Sequence, residues 1–399
     1  MTSTKPNKTA VVIGAGASGI SAAISIAKNQ DFHVLLLEKK PEIGGTVSHS
    51  LIHTLGGLYN SSGDILNQGL PQELIQRLTK ADKLTVQRKI GKTWVLAVDP
   101  ETYTKVVQDW LDEYKNIEVR TSATDLSIKK NTQGNLVESI SFRTNDKSIT
   151  IDTDAIVDAS GSAGAVRLIE KELVIDDNKP AMAAIVFQLL GIDHSEIKAP
   201  RNIALMRKIR AAVSCGELPR QLASTWLDIG THANEIYVKA SIPVPDKWYA
   251  DDGELFMKTV GIDAVNKMLE FLKSNADMPG ATLGKVGALG IRDGGRVKGR
   301  YQLTEDDLRS RKKFSNAACR CCWPIEYWHP EKGVTLEYFP DNEYYDIPLS
   351  ALQVHGMDNV WSVGKCLSAD HLAQASARVV GTCWAMGDAA GKNITGQKP

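Results

Sequence analysis

The residues with the clearest chemistry lie near the start of the chain. Gly14, Gly16 and Gly19 form GxGxxG within Gly14-Ala15-Gly16-Ala17-Ser18-Gly19, and Glu38 follows 19 positions after the third glycine. In a dinucleotide site the first glycine permits a tight turn and the second lets the backbone approach a pyrophosphate. The third lets helix and strand pack closely, and the acid accepts the ribose hydroxyls. The elements that must position these residues can be read around them. Residues 9–13 are an apolar, β-branched run bounded by Gly14, as expected of a strand buried on both faces. Residues 20–28 read as an Ala-rich helix and residues 33–37 as a second strand. The helix start offers free N–H groups and a positive dipole end to phosphates. Elsewhere, Cys319-Arg320-Cys321-Cys322 contains a CxxC spacing. It suits a redox pair or reduced thiols packed against an apolar wall better than zinc, which needs two more well-spaced ligands.

Several segments resemble flavoproteins. Gly44-Gly45-Thr46 resembles the double-glycine segment of glutathione-reductase-type proteins, and Asp158-Ala159-Ser160-Gly161 resembles their "ATG" return segment. Gly290-Ile291-Arg292-Asp293, with Arg296, Gly299, Tyr301, Leu303-Thr304 and Asp307, resembles a stretch of the FAD-dependent oxidoreductase family related to fumarate reductase and succinate dehydrogenase flavoproteins. Pro324 to Pro330, Tyr344-Tyr345-Asp346-Ile347-Pro348 and the terminal residues 359–391 are similar to further segments of that family. The resemblance implies bound FAD. It implies cofactor contacts at Gly14, Gly16, Ala17, Ser18, Gly19, Glu38, Lys39, Gly44, Gly45, Thr46 and Thr124. Further contacts are implied at Ala159, Ser160, Gly161, Gly364, Arg378, Val379 and Val380. Residues 359–363 read as a strand, 365–377 as a loop and 378–392 as a helix, and the resemblance implies that the start of this helix meets the flavin N1–C2=O edge.

Candidate catalytic groups then follow. His371 enters that helix beside Asp370 and is the foremost base candidate. Arg292 and Arg296 can hold a carboxylate, or pair with Glu305, Asp306 or Asp307. Glu326 and His329, three apart in an aromatic stretch, can move a proton beside hydride transfer. Tyr301 can donate a proton or pack. His49 and His53 follow the pyrophosphate glycines, where relatives of fumarate reductase attach FAD covalently, and are candidates for that, for catalysis or for a structural loop.

The expected fold is α/β. A glutathione-reductase-type, Rossmann-like FAD domain is expected from residues 1–57, 99–166 and 340–399, with an α+β substrate domain from 58–98 and 167–339. Within the 399 residues, 47 basic side chains balance 47 acidic ones, which argues against a dedicated nucleic-acid binder. No apolar run approaches the ~18 residues of a membrane span. Residues 1–8 are polar, so a cytoplasmic product is expected. The expected activity is hydride transfer between flavin N5 and a C–C or C–N bond of a small-molecule substrate. The electron partner is left among oxygen, NAD(P)H without a dedicated domain, and a carrier. A monooxygenase using a C4a-peroxide and a flavin-binding protein without turnover are the alternatives. No metal site is expected.

Overall fold

The computed structural model describes residues 6–145, 147–176, 180–245, 251–276, 278–330 and 332–398. Its centre is a five-stranded parallel sheet in the order Val360–Ser362, Ala155–Asp158, Lys8–Ile13, Phe32–Leu37, Ile117–Arg120. All but the edge strand Ile117–Arg120 are mostly apolar, because both faces of the sheet are covered. Successive side chains alternate between two cores. Ala10, Val12, Val34, Leu36 and Val157 face the helical side, and Val11, Ile13, Leu35, Leu37 and Ile156 face the other. On that second side lies an antiparallel meander of Thr124–Lys130, Val137–Thr144 and Lys147–Asp152. Val137–Thr144 is its central strand.

The helical side holds Ala17–Ala27, Pro100–Asp112 and the C-terminal helix Val380–Ile394. Asp99 caps the second of these by accepting from Thr102 N–H at 2.9 Å. The first and last helices touch through small residues. Ser21 Oγ donates to Trp384 O at 2.6 Å and Ser25 Oγ to Asp388 O at 2.9 Å. A Cβ at Gly387 would run into Ser18 O. Gly387→Ala is therefore expected to lower stability by about 1–3 kcal/mol through overpacking, seen as a fall in Tm without loss of the folded baseline.

Two expectations change here. Residues 365–377 were expected as a loop, but His371–Ala377 is a helix. Asp370 caps it, its carboxylate accepting from Ala373 N–H at 2.8 Å. Arg378 closes this helix and extended Val379 caps the next, so the C-terminal helix begins at Val380 and not at Arg378. Each core draws on segments far apart in the chain. Leu70, Leu74 and Leu78 of the helix Leu70–Ala81 join the helical-side core, as do Leu303, Leu308, Cys321 and Ile325. A separate core is built from residues 183–281.

That separate unit is an antiparallel sheet in the order Trp226–Ile229, Glu235–Ile242, Ala183–Leu190, Thr282–Val286. One face, carrying Ile185, Phe187, Leu189, Ile236 and Val238, packs on the helices Arg201–Ser214 and Asp251–Asn275. Alternation sends Ala184, Val186, Tyr237, Lys239, Trp226 and Asp228 to the opposite face. The unit is pinned where it leaves and rejoins the chain. Ala184 N–H donates to Gly290 O at 2.9 Å, and Gly290 N–H to Ala184 O at 2.8 Å.

Candidate active site

The glycine loop sits at the carboxyl ends of the parallel strands. Gly14 has φ +103°, and a Cβ there would meet Ala159 O. A Cβ at Gly19 would meet Gly14 O, and one at Gly45 would lie 2.7 Å from Gly16 Cα. At Gly16 itself the nearest atom to a Cβ is Gly45 Cα, 3.7 Å away. Glu38 is buried at the end of the second strand, its carboxylate accepting from Ala15 N–H at 2.8 Å and Lys40 N–H at 3.0 Å. No side chain caps the helix Ala17–Ala27, which leaves its first N–H groups to an outside acceptor. Ser160 Oγ donates to buried Asp158 at 2.6 Å, fixing the Ala159-Ser160-Gly161 turn. Gly364 has φ +73° and lies against Ser18. Lys39 is exposed beside Glu38, and exposed Thr124 follows Ala123, whose N–H donates to Glu38 O at 2.9 Å.

Next to this cradle a cleft of about 240 Å³ opens beneath the polar face of the inserted sheet. Its floor comprises residues 50–54 with Thr46 and Gly56, and its far wall residues 290–292, Trp323 and Glu326. Lys365, Ala375 and residues 378–380 at the start of the C-terminal helix close the remaining side. That 15-residue helix also has no side-chain cap.

Two polar clusters line the cleft. In the first, His53 Nε2 lies 3.2 Å from Asp228 Oδ2, and the imidazole stacks on Tyr237 with centroids 3.9 Å apart. Arg88 binds the same carboxylate through both terminal nitrogens, at 2.8 and 2.6 Å. Burial works against the Asp228 charge, but the hydrogen bonds from His53 and Arg88 outweigh it and bring the carboxyl down to about 2. In the second, Glu326 accepts from Trp323 Nε1 at 3.0 Å and Trp328 Nε1 at 2.6 Å. The Arg292 guanidinium lies 4.1 Å from the Trp328 ring centroid and the Lys239 ammonium 5.1 Å from it. Arg292 donates to Met182 O, and Arg378 Nη2 to Glu326 O at 3.4 Å. Burial, with Arg378 next, pulls the Arg292 guanidinium down to about 9. Burial also lowers Lys239. Lys365 donates to Ile291 O at 2.7 Å and Asp293 O at 3.1 Å, and burial brings it to about 8.

Against known proteins, the model of the family described as FAD dependent oxidoreductase matches residues 10–394. The chain belongs to the FAD-dependent oxidoreductase family. Among curated proteins, none matches the sequence. Among solved structures, a geranylgeranyl bacteriochlorophyll reductase-like protein from Thermoplasma acidophilum superposes with a TM-score of 0.52. It is 13% identical, over 98% of this chain and 78% of that one. That likeness shows a shared mixed α/β fold. p-Nitrophenol 4-monooxygenase PnpA from Pseudomonas putida gives a TM-score of 0.41 at 10% identity, over 74% of this chain and 71% of that one. The Diels-Alderase PyrE3 of pyrroindomycin biosynthesis gives 0.43 at 13% identity, over 74% and 57%.

The cofactor of this oxidoreductase is FAD, and the cradle suits it. A Cβ at Gly16 would meet no protein atom closer than Gly45 Cα at 3.7 Å, and two uncapped helix starts are available to phosphate and flavin oxygens. Of the expected catalytic residues, the cleft brings together His53, Arg292 and Glu326 with Thr46, Arg378, Val379 and Val380. Three others do not line it. His371 Nε2 lies 3.1 Å from Asp293 Oδ2, with its ring edge-on to Tyr327, so it stands behind the residue next to Arg292. Burial opposes the Asp293 charge, yet His371 and Arg378 hold its carboxyl well below the usual range. His329 Nδ1 accepts from Lys332 N–H at 3.2 Å. Tyr301 donates to Asp307 at 2.7 Å in the capping box that starts the helix Glu305–Arg309, where Lys312 also pairs with Asp307.

Asp228, Tyr237, Lys239, Trp226 and Lys365, which line the cleft, and Arg88, which holds Asp228, were not anticipated. The signal for four of them is the alternation of polar and apolar residues in Trp226-Leu227-Asp228-Ile229 and Tyr237-Val238-Lys239-Ala240, within strands whose other face is core. The CxxC thiols are free. Burial pushes Cys322, and Cys383 nearby, up to about 12 and Cys319 well above its usual value, which favours the protonated thiols.

Proposed function

We propose that this oxidoreductase transfers hydride between flavin N5 and a C–C or C–N bond of a small organic substrate held beneath the inserted sheet. His53 moves the accompanying proton. Bound FAD supplies the hydride acceptor or donor. The observation that carries the reading is the His53–Asp228–Arg88 array, which opens into the same cleft as the start of the C-terminal helix. Asp228 fixes the imidazole orientation, Arg88 keeps Asp228 ionised, and Tyr237 stacks on the ring face. The imidazole is thus held as a base for dehydrogenation or an acid for reduction. Gly14 to Gly19 and Glu38 would hold the pyrophosphate and ribose in a glutathione-reductase-type arrangement. The helix start at Val380 would face the flavin N1–C2=O edge, its dipole favouring negative charge there.

The test is anaerobic stopped-flow reduction of FAD-loaded protein by panels of saturated and unsaturated organic substrates and by NAD(P)H, followed by reoxidation with oxygen. Reversible bleaching by an organic substrate, with a desaturated or imine-derived product, supports the proposal. Oxygen-dependent hydroxylation driven by NAD(P)H would replace it with a monooxygenase. Full FAD content with no reduction by any partner would replace it with flavin binding without turnover.

A further inference from the structure

We infer that the cleft selects a substrate bearing a carboxylate on an apolar body, and that Arg292, Lys239 and Arg378 are the groups that read the carboxylate. The inference rests on the proposed cleft and names its substrate class.

Three cations from three separate elements meet around a single carboxylate, Glu326. Lys239 comes from the inserted sheet, Arg292 from the segment that rejoins it, and Arg378 from the break before the C-terminal helix. Both oxygens of Glu326 already accept from indoles, of Trp323 and Trp328. The three cations share Glu326, while the next carboxylates, Asp293 and Asp228, are held by His371 and by His53 with Arg88, in a part-buried site where unmatched charge is costly. The cations also crowd each other. Arg378 lowers Arg292, and both arginines lower Lys239. The Nε of Arg378 is shut off from solvent and makes no hydrogen bond among the described residues. An incoming carboxylate relieves the repulsion and meets planar, charge-assisted donors that suit its geometry.

The remainder of the cleft sets the other half of the substrate. Leu51, Ile52, Val186 and Trp226 make part of it apolar, and Lys365, which also lines it, is engaged by Ile291 O and Asp293 O. Lys239 lies opposite Trp226, and Tyr237 opposite Asp228, so the carboxylate station and the His53 station stand one two-residue step apart on the sheet. That step is about 7 Å. A carboxylate set apart from the reacting carbon by an apolar spacer fits both stations together.

Isothermal titration of phenylacetate and 3-phenylpropanoate, each against its primary amide, tests this on FAD-loaded and FAD-free protein. At least one carboxylate should bind roughly 10-fold or more tightly than its amide. Arg292→Gln should abolish that preference while leaving FAD content and amide affinity unchanged. Lys239→Met, on a different element, gives a second measurement should Arg292→Gln not fold. Equal affinity for acid and amide in both forms overturns the inference. So does a variant that moves the flavin midpoint potential but leaves carboxylate affinity intact, because the cations then serve the flavin. Calorimetry needs no flavin colour. A protein that prefers carboxylates but never undergoes flavin reduction would therefore defeat the proposed activity and leave the anion site standing.

Discussion

Gly16→Ala is expected to fold as the parent does and to lose FAD. The three motif glycines differ in what a methyl group would strike. At Gly14 and Gly19 it would collide with backbone, at Ala159 O and Gly14 O respectively. At Gly16 the nearest protein atom is 3.7 Å away, an ordinary contact, so the methyl would occupy the space over the uncapped helix start. Hydrogen bonds to a charged group contribute about 1.5–3 kcal/mol each. Pushing a pyrophosphate off two such N–H donors should weaken FAD binding by roughly 100-fold or more. Thermal unfolding of the FAD-free protein, compared with fluorescence titration of FAD, separates the two effects. An unchanged FAD affinity would mean that the cofactor's phosphates lie elsewhere. A collapse of apo stability would mean that Gly16 serves packing.

His53→Gln should lower kcat by about 10²- to 10⁴-fold, the range contributed by a positioned proton-transfer group, with FAD content unchanged. Asp228→Asn should lower kcat in the same direction while changing KM less, because both Asp228 oxygens are engaged by His53 and Arg88. Burial opposes its charge, but His53 and Arg88 bring its carboxyl down to about 2, so it stays ionised throughout the working range. An unchanged kcat in His53→Gln would assign the proton transfer to another group. A purely structural role for His53 would show as lost FAD or lowered Tm with kcat per bound flavin preserved.

The nucleotide half of the fold could be read from sequence because its signals are local. A strand, three glycines, a helix, a second strand and Glu38 follow one another within about 30 residues, and each has its own spacing rule. The cleft is different in kind. Arg88 and Asp228 stand 140 positions apart, and His53 and Asp228 175 apart, so only the folded register joins them. Lys239 and Asp228 lie in strands whose polar residues alternate with core residues. That pattern locates a face without saying what the face overlooks. His371 stands beside the Asp370 helix cap, the local signal that makes it a candidate. Its ring turns to Asp293, and no spacing rule predicts that rotation. The break at Arg378 and Val379 was missed because the cap at Asp370 starts an earlier helix, and the whole stretch had been read as one approach and one helix.

The paired hydrogen bonds between Ala184 and Gly290 make the inserted sheet a cassette with its entry and exit side by side. The stretch between them carries Lys239, Asp228, Tyr237 and Trp226, but none of the glycine loop, Glu38 or the C-terminal helix. The roof is therefore free to diverge in length and in lining without moving the ends of the parallel strands. Descent with a changed roof gives a straightforward route to new substrates on an unaltered cofactor half, and grafting between relatives at those same two residues is the engineering counterpart.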